Sequence, residues 1–481
     1  MNKAYFIGID IGTQGARVAL LEETGLLVSA HDQAFALTEN SREEQSPQEW
    51  WEITCQLMEV VLKEAANVAD LTLVKSIAVT STSGTIIPID AAGNPLHPAM
   101  MYSDQRSGEE AARCKEAAEE NRIPGYRAFN TSSGLPKMLW FLNHFPKWIN
   151  QLYKFIHASD FITGRLCGRY DVTDYTNALK SGYDLHQLAW PEYLSGLGLQ
   201  QEWLQEVKPS GTPVAALRKE LAEKWGLPAG VTVTTGMTDG CVSQVASGAV
   251  APGQWNTTIG TTLVIKGVTR NEIVDETGAI YNHRHPEGYW MPGGASNTGA
   301  DWVTRLFPNR DLAVLNARAA ELIPTGLTAW PLLQKGERFP FFAPQASGFW
   351  EADLSEEALF AACMEGVAYV ERYAYDRIRE LSGEKVDRVF SAGGGSNSDV
   401  WLSIRSTVLQ VPVQKMQNTS GAVGAAVLAT SGTYYSSLSE AAAAMIRPEK
   451  VVEPVQGMTK AYEEGYRNFI VELKKRNILP C

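Results

Sequence analysis

IGIDIGTQGARVAL at residues 7–20 and WNTTIGTTLVIKGV at residues 255–268 are two variants of one pattern. In each, an apolar run ends in a Gly-Thr turn and a second apolar run follows, which predicts two strands joined by a tight turn. The repetition points to two domains of common ancestry that face each other across a cleft. Outward from the first copy, residues 4–10 predict a buried strand, and 17–23 and 26–34 extend it into a three-strand meander. A helix is expected from Pro47, because proline is tolerated in a first helical turn. Strands at 75–81 and 85–91 then complete a sheet. Outward from the second copy, strands are expected at 253–260 and 261–268, followed by a long helix at 357–381. Leu359, Cys363, Val367, Val370, Ala374, Ile378 and Leu381 form one apolar stripe along that helix. A strand at 386–392 opens into Gly-Gly-Gly-Ser-Asn, and a last helix covers 421–430. Alternating strands and helices make the class α/β. No linker-like stretch divides the halves, and the boundary is placed near residues 249–253, giving domains 1–249 and 250–481.

Composition agrees with this organisation. A chain of 481 residues exceeds what one hydrophobic core usually serves, and 44% hydrophobic with 20% charged residues is a globular balance. The formal charge of −12 repels phosphate backbones, so a dedicated nucleic-acid binder is not expected. No stretch approaches the roughly 20 apolar residues that cross a bilayer, and Asp10 arrives too early for a signal-peptide core. The six cysteines (55, 114, 167, 241, 363, 481) show no CxxC pairing and read as reduced, mostly buried thiols. A cytoplasmic enzyme without membrane attachment is the expectation.

Four segments carry the candidate chemistry. Asp10-Ile11-Gly12-Thr13-Gln14-Gly15 sits at a strand end, where glycines admit a ligand close to the backbone and N–H groups with the Thr13 hydroxyl can donate to phosphate. A carboxylate there would repel phosphate unless a divalent cation lies between, so Asp10 suggests magnesium; a plain hairpin turn with a solvated Asp is the simpler account. Thr258-Ile259-Gly260-Thr261-Thr262 is the matching turn of the second half, and two such turns could hold a polyphosphate from both sides, as in actin-like ATPases. Gly393-Gly394-Gly395-Ser396-Asn397 lies between strand and helix, where it could face a purine or simply make a tight turn. Neither GxGxxG nor GxxxxGK[ST] occurs, which disfavours Rossmann and P-loop readings. Thr235-Gly236-Met237-Thr238-Asp239-Gly240 follows the strand 231–235; Asp239 could orient and finally deprotonate a substrate hydroxyl, and could also cap the next helix.

Together these segments resemble the FGGY carbohydrate kinases, a family that includes glycerol kinase, xylulokinase and ribulokinases. The resemblance extends through EQSPQEWW (44–51), MYSDQRSGEEA (101–111), KMLWFLNHFP (137–146), SDFITGRLCGRYDVTDYTNA (159–178), GGASNTGADW (293–302), KGERFPFFAP (335–344) and EGVAYVERYAYD (365–376). It implies two actin-like (RNase H-like) ATPase domains flanking a catalytic cleft, with ATP and Mg2+ as cofactors and a small-molecule sugar as substrate; family members are often homodimers. Carried over, Asp10 matches the aspartate near magnesium, and Gly12, Thr13, Gln14 and Arg17 match phosphate contacts of the same motif. Gly260 and Thr261 fall on the second phosphate turn, Gly394 and Gly395 on the loop against adenine. Asp239 matches the catalytic base. Ser81, Thr82, Ser83, Asp104 and Arg106 are the sugar-pocket candidates.

Two departures matter. Ser398 stands where glycerol kinase has an adenine-contacting asparagine, with Asn397 one residue early. Ser83-Gly84 stands where glycerol kinase has an Arg-Glu pair and typical xylulokinases have Met-His. Loss of a charged clamp costs about 2–3 kcal/mol, which argues against glycerol. The Thr-Ser-Gly-Thr stretch at 82–85 is closer to a plant and cyanobacterial ribulokinase-like branch, so a pentulose is expected, D-ribulose ahead of D-xylulose. An actin- or chaperone-like ATPase would lack the segments at 44–51 and 104–106, and a silent sugar-binding regulator would be expected to have lost Asp10 or Asp239. His283-Arg284-His285 reads as a surface or cleft-edge strand rather than a metal site, and Asp171 and Asp174 as solvated faces and caps.

Overall fold

A computed structural model describes residues 3–123 and 126–480. The chain divides into two compact units: Met1–Ala246 with His283–Gly288 and Asn418–Ile446, and Ser247–Asn282 with Tyr289–Gln417 and Arg447–Cys481.

In the first unit, strands β1 (Tyr5–Ile11), β2 (Gly15–Glu22) and β3 (Leu27–Ala34) form the expected antiparallel meander. Helix α1 (Pro47–Ala65) begins at Ser46, whose side chain accepts the Glu49 N–H, and has proline in its first turn. Its apolar positions Ile53, Leu57, Val61 and Leu62 are buried with β1 and β2 in one core cluster. Strand β4 (Val74–Ser81) runs parallel to β1. Beyond β4 lie β5 (Pro213–Ala216) and β6 (Thr232–Thr234), and the short β7 (Met237–Thr238) pairs with the end of β4, giving the order β5-β6-β4-β1-β2-β3. Every residue of β1 is buried, as a central strand covered on both faces requires.

The segment expected to complete this sheet does not join it. Ile86–Ile89 belongs to a separate four-stranded sheet, where it pairs with Lys154–His157. Gly84 explains the divergence: its φ of +82° turns the chain, and a Cβ there would collide with the Ser132 carbonyl.

The second unit repeats the plan. Strands β8 (Trp255–Ile259), β9 (Leu263–Gly267) and β10 (Trp290–Ser296) are antiparallel, β11 (Val389–Ala392) and β12 (Val413–Met416) run parallel to β8, and β13 (Pro448–Val452) closes antiparallel. The order β10-β9-β8-β11-β12-β13 mirrors the first unit's sheet, so the echo between residues 7–20 and 255–268 is an echo of topology. The predicted long helix, α2 (Glu356–Ser382), starts at the Ser355 cap and stops at Gly383, with φ +70°. Cys363, Val367, Val370, Ala374 and Ile378 of its stripe are buried, while Leu359 and Leu381 pack at the margins of the core. Helix α3 (Asp399–Leu409) is tied to α2 by a fully buried pair, Arg405 Nε and Nη2 to the Glu371 carboxylate at 2.7 and 2.8 Å.

His283 lies on Tyr281–Arg284, an edge strand beside β10 as expected, but its side chain and that of His285 are buried. Asp171 pairs with Arg169, but Asp174 is fully buried, not solvated. Cysteines 55, 114, 167, 241 and 363 are free thiols, and Cys481 lies outside the described residues. No helix of the described chain is long and apolar enough to cross a membrane.

Candidate active site

Asp10 is the penultimate residue of β1, in register with Arg17 on β2 and Thr80 on β4. It is 6% exposed, and Arg17 donates to its Oδ2 at 3.1 Å. Burial raises the Asp10 carboxyl to about 6, the Arg17 charge opposes the rise, and repulsion from Asp239 adds to it. The two acids singled out at separate strand ends are therefore within electrostatic reach of each other in one unit. Between Asp10 and Arg17 the turn closes through the Gly12 N–H on the Gly15 carbonyl. Gln45 braces this turn: its side-chain amide donates to the Thr13 carbonyl at 3.0 Å, and its own carbonyl accepts from the Trp50 indole at 3.0 Å. The Glu44–Trp51 segment, read from sequence as a helix start and as part of a resemblance, thus has a concrete structural task. Thr13 is half-buried and Gln14 exposed.

Asp239 opens the helix Asp239–Ser247 immediately after β7, whose Thr238 is in register with Ser81 at the end of β4. The base candidate and the first sugar candidate therefore lie at neighbouring parallel strand ends. Asp239 Oδ1 accepts the Gly240 N–H at 2.6 Å, and the residue is exposed.

The sugar candidates separate into two kinds. Ser81 is buried, its hydroxyl accepting the Ser159 N–H at 2.9 Å, and Thr82 shares a hydrogen bond with Thr85 at 3.0 Å. Ser83 Oγ is enclosed and has no hydrogen-bond partner among the described residues. Asp104 and Arg106 hold each other: Arg106 Nε and Nη2 donate to the Asp104 carboxylate at 3.0 and 2.8 Å. Arg106 Nη1 also pairs with Glu44 at 2.7 Å, and the guanidinium lies 4.4 Å from the Trp140 ring centroid. The hydrogen bonds it donates to Asp104 and Glu44 hold the guanidinium well above its usual range. This arginine is a built-in clamp of its own loop.

In the second unit, the Gly260 N–H bonds the Thr262 carbonyl and the Gly260 carbonyl accepts from Ala300. Thr261 is exposed on this turn. A side chain added at Gly260 or Gly394 would meet nothing within 4 Å, so the space over both is open. Gly395 is different, because Ile259 occupies the place of its Cβ and packing alone accounts for glycine there. Ser398 caps α3 by accepting the Trp401 N–H at 3.1 Å and also bonds Asn316, so its hydroxyl is engaged within the fold.

One contributor was legible from sequence only as a helix, not in what it packs on. The Gly421–Thr430 helix, far along the chain, packs on β1, β2 and β4 of the first unit. Its first residue meets Asp10: a Cβ on Gly421 would stand 2.6 Å from Asp10 Oδ2. A helix start at that point adds peptide N–H groups and a positive dipole end beside the turn. Asp10 is buried and the described residues hold no group of three or more metal-ligating side chains, so a magnesium ion here would arrive with phosphates and keep most of its water rather than sit in a protein-built cage.

Comparison with known proteins places this geometry. Residues 5–246 match the N-terminal domain of the FGGY family of carbohydrate kinases, and residues 255–432 match its C-terminal domain. The chain is 26% identical to a xylulose kinase of Bacillus subtilis, with 98% of each chain covered. It is also 26% identical to a gluconokinase of Bacillus licheniformis, over 88% of this chain and 87% of that one. Among solved structures, a xylulose kinase of Rhodospirillum rubrum superposes with a TM-score of 0.85 at 25% identity, covering 98% of both chains.

Proposed function

The chain belongs to the FGGY family of carbohydrate kinases, and from that premise we propose that it phosphorylates a terminal hydroxyl of a pentulose, D-ribulose or D-xylulose, with ATP and Mg2+. It is a phosphotransferase with an alcohol acceptor, acting on a small-molecule sugar. The observation that carries the mechanistic reading is the placement of Asp239 at the strand end beside Ser81, within electrostatic reach of Asp10.

In this reading, residues 1–249 supply the sugar pocket, the first phosphate turn and the base, and residues 250–481 supply the remaining nucleotide contacts. Asp10 holds the magnesium, whose chemistry is neutralisation of phosphate charge. Gly12, Thr13, Gln14 and Arg17 offer donors to phosphate oxygens, as do Gly260 and Thr261, while the loop of Gly394 and Gly395, before the Ser398 cap, is the candidate for the adenine. The Asp239 carboxylate orients the sugar hydroxyl and accepts its proton as the oxygen bonds to phosphorus and the bond to ADP breaks. A carboxylate is a weak base toward an alcohol, so most of its effect is orientation with late proton transfer.

The choice of a neutral ketose over an aldonate is supported by the cations near the candidate pocket. Arg106 is committed to Asp104 and Glu44, and the buried Lys137 amine donates to the Thr131 and Ser133 carbonyls. Burial lowers Lys137 to about 7, which further weakens it as a carboxylate partner. The relative named gluconokinase makes gluconate the rival acceptor.

Asp239→Asn tests the base. Equilibrium ATP binding is expected to stay near wild type while turnover falls at least about a hundredfold. Wild-type turnover in that variant removes Asp239 from the role.

A further inference from the structure

Asp174 is fully buried at the end of a short strand, and five donors converge on its carboxylate. Oδ1 accepts the Thr176 N–H at 2.8 Å, the Thr176 hydroxyl at 2.6 Å, the Asn177 N–H at 3.4 Å and the Ser210 hydroxyl at 3.1 Å. Oδ2 accepts from the Asn177 side-chain amide at 2.5 Å. Such a group is costly to bury and is normally saturated in this way. Capping a helix as short as Tyr175–Ala178 does not require so many partners.

What the carboxylate directs is informative. The Thr238 N–H donates to Thr176 Oγ1 at 2.8 Å. A threonine hydroxyl has a single proton, so with its oxygen accepting from Thr238 that proton is left for Asp174. Asp174 thereby fixes the rotation of the hydroxyl, and the hydroxyl fixes the peptide that leads directly into Asp239. From the other side, the Thr80 hydroxyl donates to the Met237 carbonyl at 2.7 Å. The peptide stretch before the candidate base is thus pinned at both of its polar ends. A second arm leaves the same carboxylate: the Asn177 amide also donates to Ser159 Oγ at 3.1 Å, and the Ser159 N–H donates to the Ser81 hydroxyl.

We propose that Asp174, acting through the Thr176 hydroxyl, is a positioning residue that sets the backbone carrying Asp239 against the sugar hydroxyl. The proposal rests on the reading of Asp239 as the base. Neither residue touches the reacting atoms; each acts through its neighbour. Displacement of a catalytic group by about 1 Å can cost about a hundredfold in rate, so loss of one pin is large enough to measure.

The test uses the full-length enzyme with Mg-ATP and its best sugar. Thr176→Val and Thr176→Ala both remove the acceptor, one by nearly isosteric replacement and one by truncation, so a packing failure in one leaves the other. Thr176→Ser keeps the hydroxyl. Single-turnover phosphoryl transfer is expected to fall about 10- to 100-fold in the valine and alanine variants, with the KM for ATP within about twofold of wild type. The serine variant is expected to recover most of the rate. Wild-type transfer rates in the valine or alanine variant, alongside an inactive Asp239→Asn, overturn the positioning role while leaving the base in place. A serine variant as slow as valine also overturns it, because the methyl and not the hydroxyl would then matter. An active Asp239→Asn removes the base and the positioning role together.

Discussion

Asp10 is held between opposed influences: burial and the Asp239 charge raise its carboxyl to about 6, while Arg17 pulls it down. A proton competes with a cation for the same carboxylate, so kcat/KM for Mg-ATP should decline as pH falls through that region. Arg17→Gln removes the lowering influence, so Asp10 then holds its proton to higher pH. The acidic limb of the pH profile is expected to move upward, by about one pH unit. A limb that stays put, or moves to lower pH, would contradict this assignment. Asp10 and Asp239 were legible from sequence because an acid beside glycine at a strand end is a local pattern. Asp174 was not: its donors come from residues 176, 177 and 210, and its effect reaches residue 238, so nothing local distinguishes it from an ordinary cap. Gly421 was hidden for the same reason, since its contact with Asp10 spans almost the whole chain.

The elements that position these residues depend on close backbone approach. Gly8 in β1 faces the Gly421–Thr430 helix so closely that a Cβ would run into the Ala422 carbonyl and the Ala426 amide. Both are backbone atoms, so no rotamer change relieves the clash. Gly8→Ala is expected to destabilise the protein by about 3 kcal/mol or more and lower the unfolding midpoint by at least about 5 °C in a thermal melt. An unchanged midpoint would mean that the helix is not seated on β1 in this way. Strands and long helices were readable from periodicity, as with β1 to β4 and α2. Allegiance was harder. Ile86–Ile89 looks like one more strand of the first sheet until the left-handed turn at Gly84 sends it elsewhere. The Gly421–Thr430 helix is buried almost all round, so it has no polar face to show which sheet it covers.

At the scale of the whole molecule, two sheets of matching strand order account for the paired Gly-Thr turns; the N-terminal family match holds β1 to β7, and the C-terminal match starts at β8 and runs into the Gly421–Thr430 helix of the first unit. The acceptor is where general family chemistry gives way to particular side chains: a small hydroxyl and a glycine at 83–84, a self-paired Arg106 and a lysine tied to carbonyls. Arg106 and Lys137 are thus both engaged within the protein, and Ser83-Gly84 offers no charged grip for a triol. The decisive measurement is a coupled ADP-release assay with Mg-ATP against D-ribulose, D-xylulose, L-ribulose, glycerol and gluconate. A pentulose is expected to give the highest kcat/KM, with glycerol and gluconate close to the ATP-only background. Glycerol or gluconate ahead of every pentulose would contradict the reading of this pocket.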